Sequence, residues 1–216
     1  MPDYKGVFMS EDSKPSIKIM PNGSYKVKGV NYIKMGRKGE LVEVPRGKVL
    51  LCGCGNSATM PRCDGSHAKE GFESKKSPDR IPTNDKDYYG KEITVHFDLA
   101  VCAHVGYCVN ELPEVFDVKK RPWVDPDKGS LEDIVRIVRS CPAGALSYTI
   151  KDQERVDSFE SDIELIYHKN GPYEVWGDIE VDGAEAPKVP DHYTLCSCGK
   201  SKNHPYCDGE HLPKRK

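Results

Sequence analysis

The sequence has no excess of either charge: 32 lysines and arginines face 34 aspartates and glutamates, for a formal net charge of -2. That balance gives no footing for nucleic acid or an anionic membrane as the main partner. No apolar run approaches the ~20 residues that a bilayer span needs, and residues 1–21 lack the apolar stretch of a secretory signal. The expectation is a cytoplasmic protein with no membrane partner. There is also no glycine-rich nucleotide loop, no Ser/His/Asp order and no evident substrate-binding constellation. Glu111, Glu114, Glu132 and Asp133 read as solvated helix faces, and Trp123 and Trp176 as packing residues. A carrier is therefore expected before an enzyme.

Cysteine is abundant instead. Nine lie at positions 52, 54, 63, 102, 108, 141, 196, 198 and 207. An odd number cannot all pair within one chain, and a reducing compartment disfavours disulfides. Their spacing separates them into three groups of three.

The first and last groups repeat. Cys52-Gly-Cys54, eight residues and Cys63-Asp-Gly-Ser-His67 match Cys196-Ser-Cys198, eight residues and Cys207-Asp-Gly-Glu-His211. Ser57 and Pro61 recur as Ser201 and Pro205, and the block Asn22 to Gly29 recurs as Asn170 to Gly177. The chain thus holds a duplicated module of short strands and one ligand loop. Each copy is too small to bury much area alone, so the two are expected to pack about a pseudo-two-fold axis. Asn-Gly opens each copy as a tight turn into a strand, and Leu41–Val44 and Lys48–Leu51 are further strand candidates.

Between the copies, Glu92–Phe97 alternates as a half-buried strand. Cys102 and Cys108 follow in a short stretch read as helical, closed near Pro113. Ser130 is a good N-cap for a helix whose stripe is Leu131, Ile134, Ile137 and Val138, running up to Cys141. Ala145–Ile150 returns as a strand. This is a small α+β unit.

Three cysteines and a histidine in the repeated spacing can enclose one tetrahedral zinc or terminate the two irons of a [2Fe-2S] cluster. Thiolates suit both metals. The partition of ligands favours the cluster: Cys52 and Cys54 are too close in sequence to face opposite sides of a site, which leaves Cys63 and His67 for a second iron.

These stretches resemble the CDGSH iron-sulfur domain family. Cys52, Cys54, Ser57, Pro61, Cys63, Asp64, Gly65, Ser66 and His67 match its signature throughout. Cys196, Cys198, Ser201, Pro205, Cys207, Asp208, Gly209 and His211 match too, with Glu210 departing at a small-residue position. The resemblance implies two [2Fe-2S] clusters, each on three cysteines and one histidine, and a role in electron or cluster transfer. Members of the family commonly pair two modules as homodimers, and this chain looks like a fused pair. Protonation of His67 or His211 at the iron-binding nitrogen would break the bond, so acid-labile clusters are expected.

The middle segment resembles a divergent single-cluster ferredoxin, through Cys102 to Cys108, Leu112 to Asp117, Arg121-Pro122-Trp123 and Cys141-Pro142-Ala143-Gly144-Ala145-Leu146. Val105 stands where that family's middle cysteine is usual. The resemblance implies either a [3Fe-4S] cluster on Cys102, Cys108 and Cys141, or a [4Fe-4S] cluster whose fourth iron takes His104, water or another side chain. The expected architecture is α+β: CDGSH modules at 17–80 and 160–216 form an internal pseudo-dimer, with a ferredoxin-like domain inserted at 88–155. The expected partner is a redox protein or an apo-protein that accepts clusters. A zinc-binding interaction module is the remaining alternative.

Overall fold

The computed structural model describes residues 14–213. Its elements are mixed α+β, mostly short strands with few helices. The first segment contributes β1 (Ser16–Ile19), β2 (Tyr25–Lys28), β3 (Tyr32–Met35), β4 (Leu41–Glu43), β5 (Lys48–Leu51) and the single turn of α1 (Ser66–Lys69). The middle contributes β6 (Asp85–Tyr89), β7 (Ile93–Asp98), α2 (Tyr107–Glu111), α3 (Leu131–Arg139), β8 (Leu146–Ile150) and β9 (Arg155–Val156). The last contributes β10 (Glu164–Tyr167), β11 (Tyr173–Trp176), β12 (Glu180–Asp182) and β13 (His192–Leu195). Among the described residues no helix is long and apolar enough to cross a membrane.

Three sheets form. One has the order β12-β1-β2-β5, a second β13-β11-β10-β3-β4, and a third β6-β7-β8-β9. The first two sheets exchange strands. β12 from the last segment runs parallel to β1, with Ile17 opposite Val181, and β3 from the first segment runs parallel to β10, with Ile166 opposite Lys34. Parallel neighbours need long connections, and here each connection carries the chain into the other module. Ile17, Tyr25, Val27, Ile33 and Leu51 consequently share one buried core with Leu165, Tyr173, Val175 and Leu195.

The third sheet belongs to the middle segment. Ser130 caps α3 by accepting a hydrogen bond from the Asp133 N–H at 3.1 Å. The helix buries Ile134, Ile137 and Val138, each worth about 1.5–3 kcal/mol against exposure, into a core with Val95, Phe116, Leu146 and Tyr148. Trp123 packs there with its ring centroid 4.8 Å from that of Phe97. The expected helix through Cys102 does not form. Leu99–Val101 makes one 3-10 turn, the chain then loops, and α2 starts only at Tyr107. His104 and Gly106 take positive φ values of 52° and 83°. Left-handed residues cannot continue a right-handed helix.

Candidate metal centres

Each repeated loop begins where an edge strand of its sheet ends, Cys52 after β5 and Cys196 after β13. The motif residues outside the Cys and His ligand set hold the loop's shape. Ser57 Oγ donates to the Arg62 carbonyl and accepts from the Thr59 N–H at 3.1 Å. Ser201 Oγ donates to the Tyr206 carbonyl at 2.6 Å and accepts from the Asn203 N–H at 3.0 Å. Asp64 accepts from the N–H groups of Ala58 at 2.8 Å and Ser66 at 3.0 Å. Asp208 does the same with Lys202 at 2.8 Å and Glu210 at 3.2 Å. The Ser66 hydroxyl and N–H, with the Ala58 N–H, pull the Asp64 carboxyl down to about 2. Glu210 therefore keeps the backbone bond that its serine counterpart makes.

The inner ends of the two loops touch. A Cβ at Gly55 would fall 2.6 Å from the Cys198 carbonyl oxygen, and one at Gly199 would fall 2.4 Å from that of Cys54. Both glycines have positive φ, so the position demands glycine twice over. Two buried tyrosines reinforce the crossing. Tyr25 Oη donates to the Cys196 carbonyl at 2.7 Å, and Tyr173 Oη donates to the Cys52 carbonyl at 3.0 Å. Each module's strand thus steadies the other module's ligand loop.

The candidate ligands meet in pairs. Cys52 Sγ lies 3.6 Å from Cys54 Sγ, and Cys63 Sγ lies 3.3 Å from His67 Nδ1. In the second loop the distances are 3.7 Å for Cys196 to Cys198 and 3.5 Å for Cys207 Sγ to His211 Nδ1. Two thiolates on one tetrahedral metal stand about 3.7 Å apart when the metal–sulfur bonds are roughly 2.3 Å. Each pair therefore has the spacing of two ligands on one metal. Burial pushes the Cys54 thiol up and the Cys207 thiol up to about 12. Buried thiols of this kind ionise when a cation replaces the proton. The donor set fits iron–sulfur clusters.

In the middle segment Cys102, Cys108 and Cys141 line one cavity of about 690 Å³, together with His104 and Val105. Burial pushes Cys108 up to about 12 and Cys102 higher still. Cys141 is also raised by burial, opposed by the N–H groups of Ala143, Ala145 and Leu146 that point at its sulfur. N–H donors to sulfur are a usual means of tuning such clusters. No disulfide joins any of the nine cysteines.

Comparison with known proteins agrees with this geometry. The family model described as iron-binding zinc finger CDGSH type matches residues 22–68 and again 170–212. The chain carries two CDGSH-type iron-binding modules. Between its two CDGSH modules, residues 88–151 match a divergent 4Fe-4S mono-cluster model. The chain is also similar to the uncharacterized protein YjdI of Escherichia coli K12 and of E. coli O157:H7. Each is 39% identical over 64 residues, which cover 30% of this chain and 84% of the relative. No solved structure matches significantly.

One feature of the CDGSH assembly carries no sequence motif. Glu174 on β11 has no exposed side-chain surface and binds groups from every segment. Its Oε2 accepts from Arg37 Nε at 3.1 Å and Trp176 Nε1 at 3.2 Å. Its Oε1 accepts from Tyr107 Oη at 2.8 Å and faces His168 Nε2 at 2.8 Å. Arg37 also donates to the Ser140 carbonyl at 2.7 Å and lies 3.7 Å over the Tyr107 ring. Tyr107 and Ser140 directly precede Cys108 and Cys141, so this junction holds the central site against the CDGSH pair. The repeat does contain a signal for it. Glu174 and Trp176 stand where the first copy has Lys26 and Lys28, which are exposed.

Proposed function

We propose that this protein carries single electrons, holding a [2Fe-2S] cluster in each CDGSH module and a third cluster in the central domain. Cys52, Cys54, Cys63 and His67 would hold the first, and Cys196, Cys198, Cys207 and His211 the second. Cys102, Cys108 and Cys141 would hold the third. The observation that carries this reading is the pairing of ligands, with sulfurs 3.6 and 3.7 Å apart and sulfur–imidazole distances of 3.3 and 3.5 Å. A mononuclear zinc would draw all four ligands to one point. The ligands stand instead as two pairs in each loop, which favours two metals over one.

The functional units on this reading are 17–80, 88–155 and 160–216. The first and last act as an internal pseudo-dimer, a reading supported by the strand exchange and by the matched Tyr25 and Tyr173 bonds. The 4Fe-4S description of the matched family favours [4Fe-4S] over [3Fe-4S] at the centre, with His104, which lines the same cavity, the non-cysteine candidate for the fourth iron. The partner is a redox protein, and the chain is a carrier and not an enzyme.

Anaerobic purification with iron and sulfide counting, and EPR before and after dithionite, tests the proposal. Two irons and two sulfides per CDGSH module, plus three or four irons at the centre, are expected. Stoichiometric zinc without acid-labile sulfide sinks the proposal. A second reading, delivery of whole clusters to apo-proteins, is favoured by one observation. Cys63 and His67 are half-exposed, whereas Cys52 and Cys54 are buried. Transfer to an apo-ferredoxin faster than spontaneous decay would support delivery; reversible reduction without loss of iron would support electron transfer.

A further inference from the structure

The two CDGSH loops are close copies, yet the central domain treats them unequally. Ala103, Ala143 and Ala145 form one buried cluster with Cys207, and Cys102 and Cys141 pack against it. Gly144 rests on the second module too, since a Cβ there would come 2.6 Å from Val189 Cγ2. The closest comparison lies within the motif. Gly65 and Gly209 hold the same place and the same left-handed backbone, with φ of 89° and 86°. A Cβ at Gly65 would meet nothing within 4 Å, whereas one at Gly209 would fall 2.2 Å from His104 Cδ2. The outer faces of the equivalent strands agree with this. Glu174 on β11 is buried under Tyr107 and Arg37, while Lys26 on β2 is exposed.

We propose that the three clusters are wired in series: the central cluster exchanges electrons with the second CDGSH cluster across the Gly209–His104 contact, and the first CDGSH cluster stands at the far end. This rests on the electron-transfer reading above. Cys102, Cys108 and Cys141 would hold the group that takes one electron from a donor protein, and Cys196, Cys198, Cys207 and His211 would hold the group that receives it, one ferric iron there becoming ferrous with no bond formed or broken. Neutral imidazole in place of one thiolate would make the CDGSH sites less negative and raise their potentials, as an electron acceptor requires. The next step uses the touching inner ends of the loops, where Gly55 and Gly199 each abut a carbonyl of the opposite C-x-C pair. The half-exposed Cys63–His67 end is left as the outlet.

The two equivalent glycines supply a matched test in the full-length, cluster-loaded protein. Gly209→Ala and Gly65→Ala impose the same left-handed strain, so any shared effect cancels. Electrons are delivered in substoichiometric amount from a reduced ferredoxin, and the second cluster's reduced EPR signal is followed by rapid freezing. Gly209→Ala should slow its appearance severalfold more than Gly65→Ala does. Equal slowing at equal iron and sulfide content overturns the wiring.

Should Gly209→Ala fail to load iron, the otherwise unaltered protein still decides. His67→Cys keeps four ligands while shifting the first cluster's signal, which assigns the two [2Fe-2S] spectra. Reduction of the central cluster should then broaden the second signal alone. Broadening of the first signal, or of both equally, overturns the wiring. Loaded clusters that pass no electrons in the unaltered protein would overturn the electron-transfer reading itself, and the wiring with it.

Discussion

Glu174→Ala is the most informative single substitution for the architecture. The carboxylate has no exposed surface, and its removal strands the Arg37 guanidinium, the Tyr107 hydroxyl and the Trp176 indole without their acceptor. Removing one partner of a buried ion pair costs about 3–5 kcal/mol. The orphaned neutral donors lie in the same network, so their losses overlap with that figure instead of adding to it. Arg37 is 28% exposed and regains some water, which places the expected loss toward the lower end. For a chain of this size each kcal/mol moves the melting midpoint by roughly 2–4 °C, so a fall of about 6–12 °C follows.

The assay is an anaerobic melt of the cluster-loaded protein at one fixed scan rate, since unfolding with cluster loss is irreversible. Visible absorbance reports the clusters and far-ultraviolet circular dichroism the strands. Glu174→Gln keeps one accepting oxygen and should fall between the Ala variant and the unaltered protein. Burial alone would raise the Glu174 carboxyl, but His168, Arg37 and Tyr107 outweigh it and hold it below its ordinary value. A depressed carboxyl contributes stability above its unfolded pKa of about 4.3 and loses it as pH falls through the folded value. The gap between Glu174→Ala and the unaltered protein should therefore stay constant from pH 8 to pH 6. A midpoint within about 2 °C of the unaltered protein, against a stability scale of this size, would refute the junction's role. So would a Gln variant weaker than Ala.

Four further outcomes are expected. Tyr25→Phe leaves the Cys196 carbonyl short of a buried donor, a loss of about 1–3 kcal/mol, so it should labilise the second cluster, and Tyr173→Phe the first; a ligand variant in each module assigns the decay phases of the visible spectrum. Lys188 Nζ binds Asp85 at 2.6 Å and the fully buried Asp98 at 2.8 Å, so Lys188→Ala should speed hydrogen exchange in β6 and β7. Arg155, with Lys188, holds the Asp85 carboxyl down to about 2, so that contact should persist from pH 8 to about pH 4 and fail only as pH falls further. Chelation of iron should raise exchange first in residues 52–67 and 196–211, where ligand binding and loop order are coupled. Uniform loosening of all three sheets on chelation would contradict this, because the shared core of the exchanged sheets does not consist of ligands.

The ligand loops were legible in sequence because their chemistry is local. Spacing brings Cys52 to Cys54 and Cys63 to His67, and the serine and aspartate of each motif bond within six residues of themselves. The α3 helix was legible for the same reason, through its cap and its apolar stripe. The exchange of β3 and β12 was not. Three- and four-residue strands carry alternation but no address, and parallel partners more than a hundred residues apart leave no local mark. The stretch from Cys102 to Cys108 reads as helical in sequence, but His104 and Gly106 both take left-handed backbone, which a right-handed helix cannot include. Glu174 was missed because a strand position facing outward is polar by default; only its partner domain makes it buried.

That last residue also bears on why the two modules share a chain. In a symmetric homodimer every outer face is duplicated, so a docking surface for one central domain would appear twice and the second copy would stay bare. Two copies in one polypeptide can diverge. β2 keeps Lys26 and Lys28 against water, while β11 carries Glu174 and Trp176 against Tyr107, Arg37 and His192. The tyrosines that face inward, Tyr25 and Tyr173, have not diverged, because each serves the other module's loop. Inner faces are thus held to the symmetry of the exchanged sheets, and outer faces are free of it. On the proposed pseudo-dimer reading, that freedom lets two chemically matched clusters take unequal places, one beside the central site and one away from it.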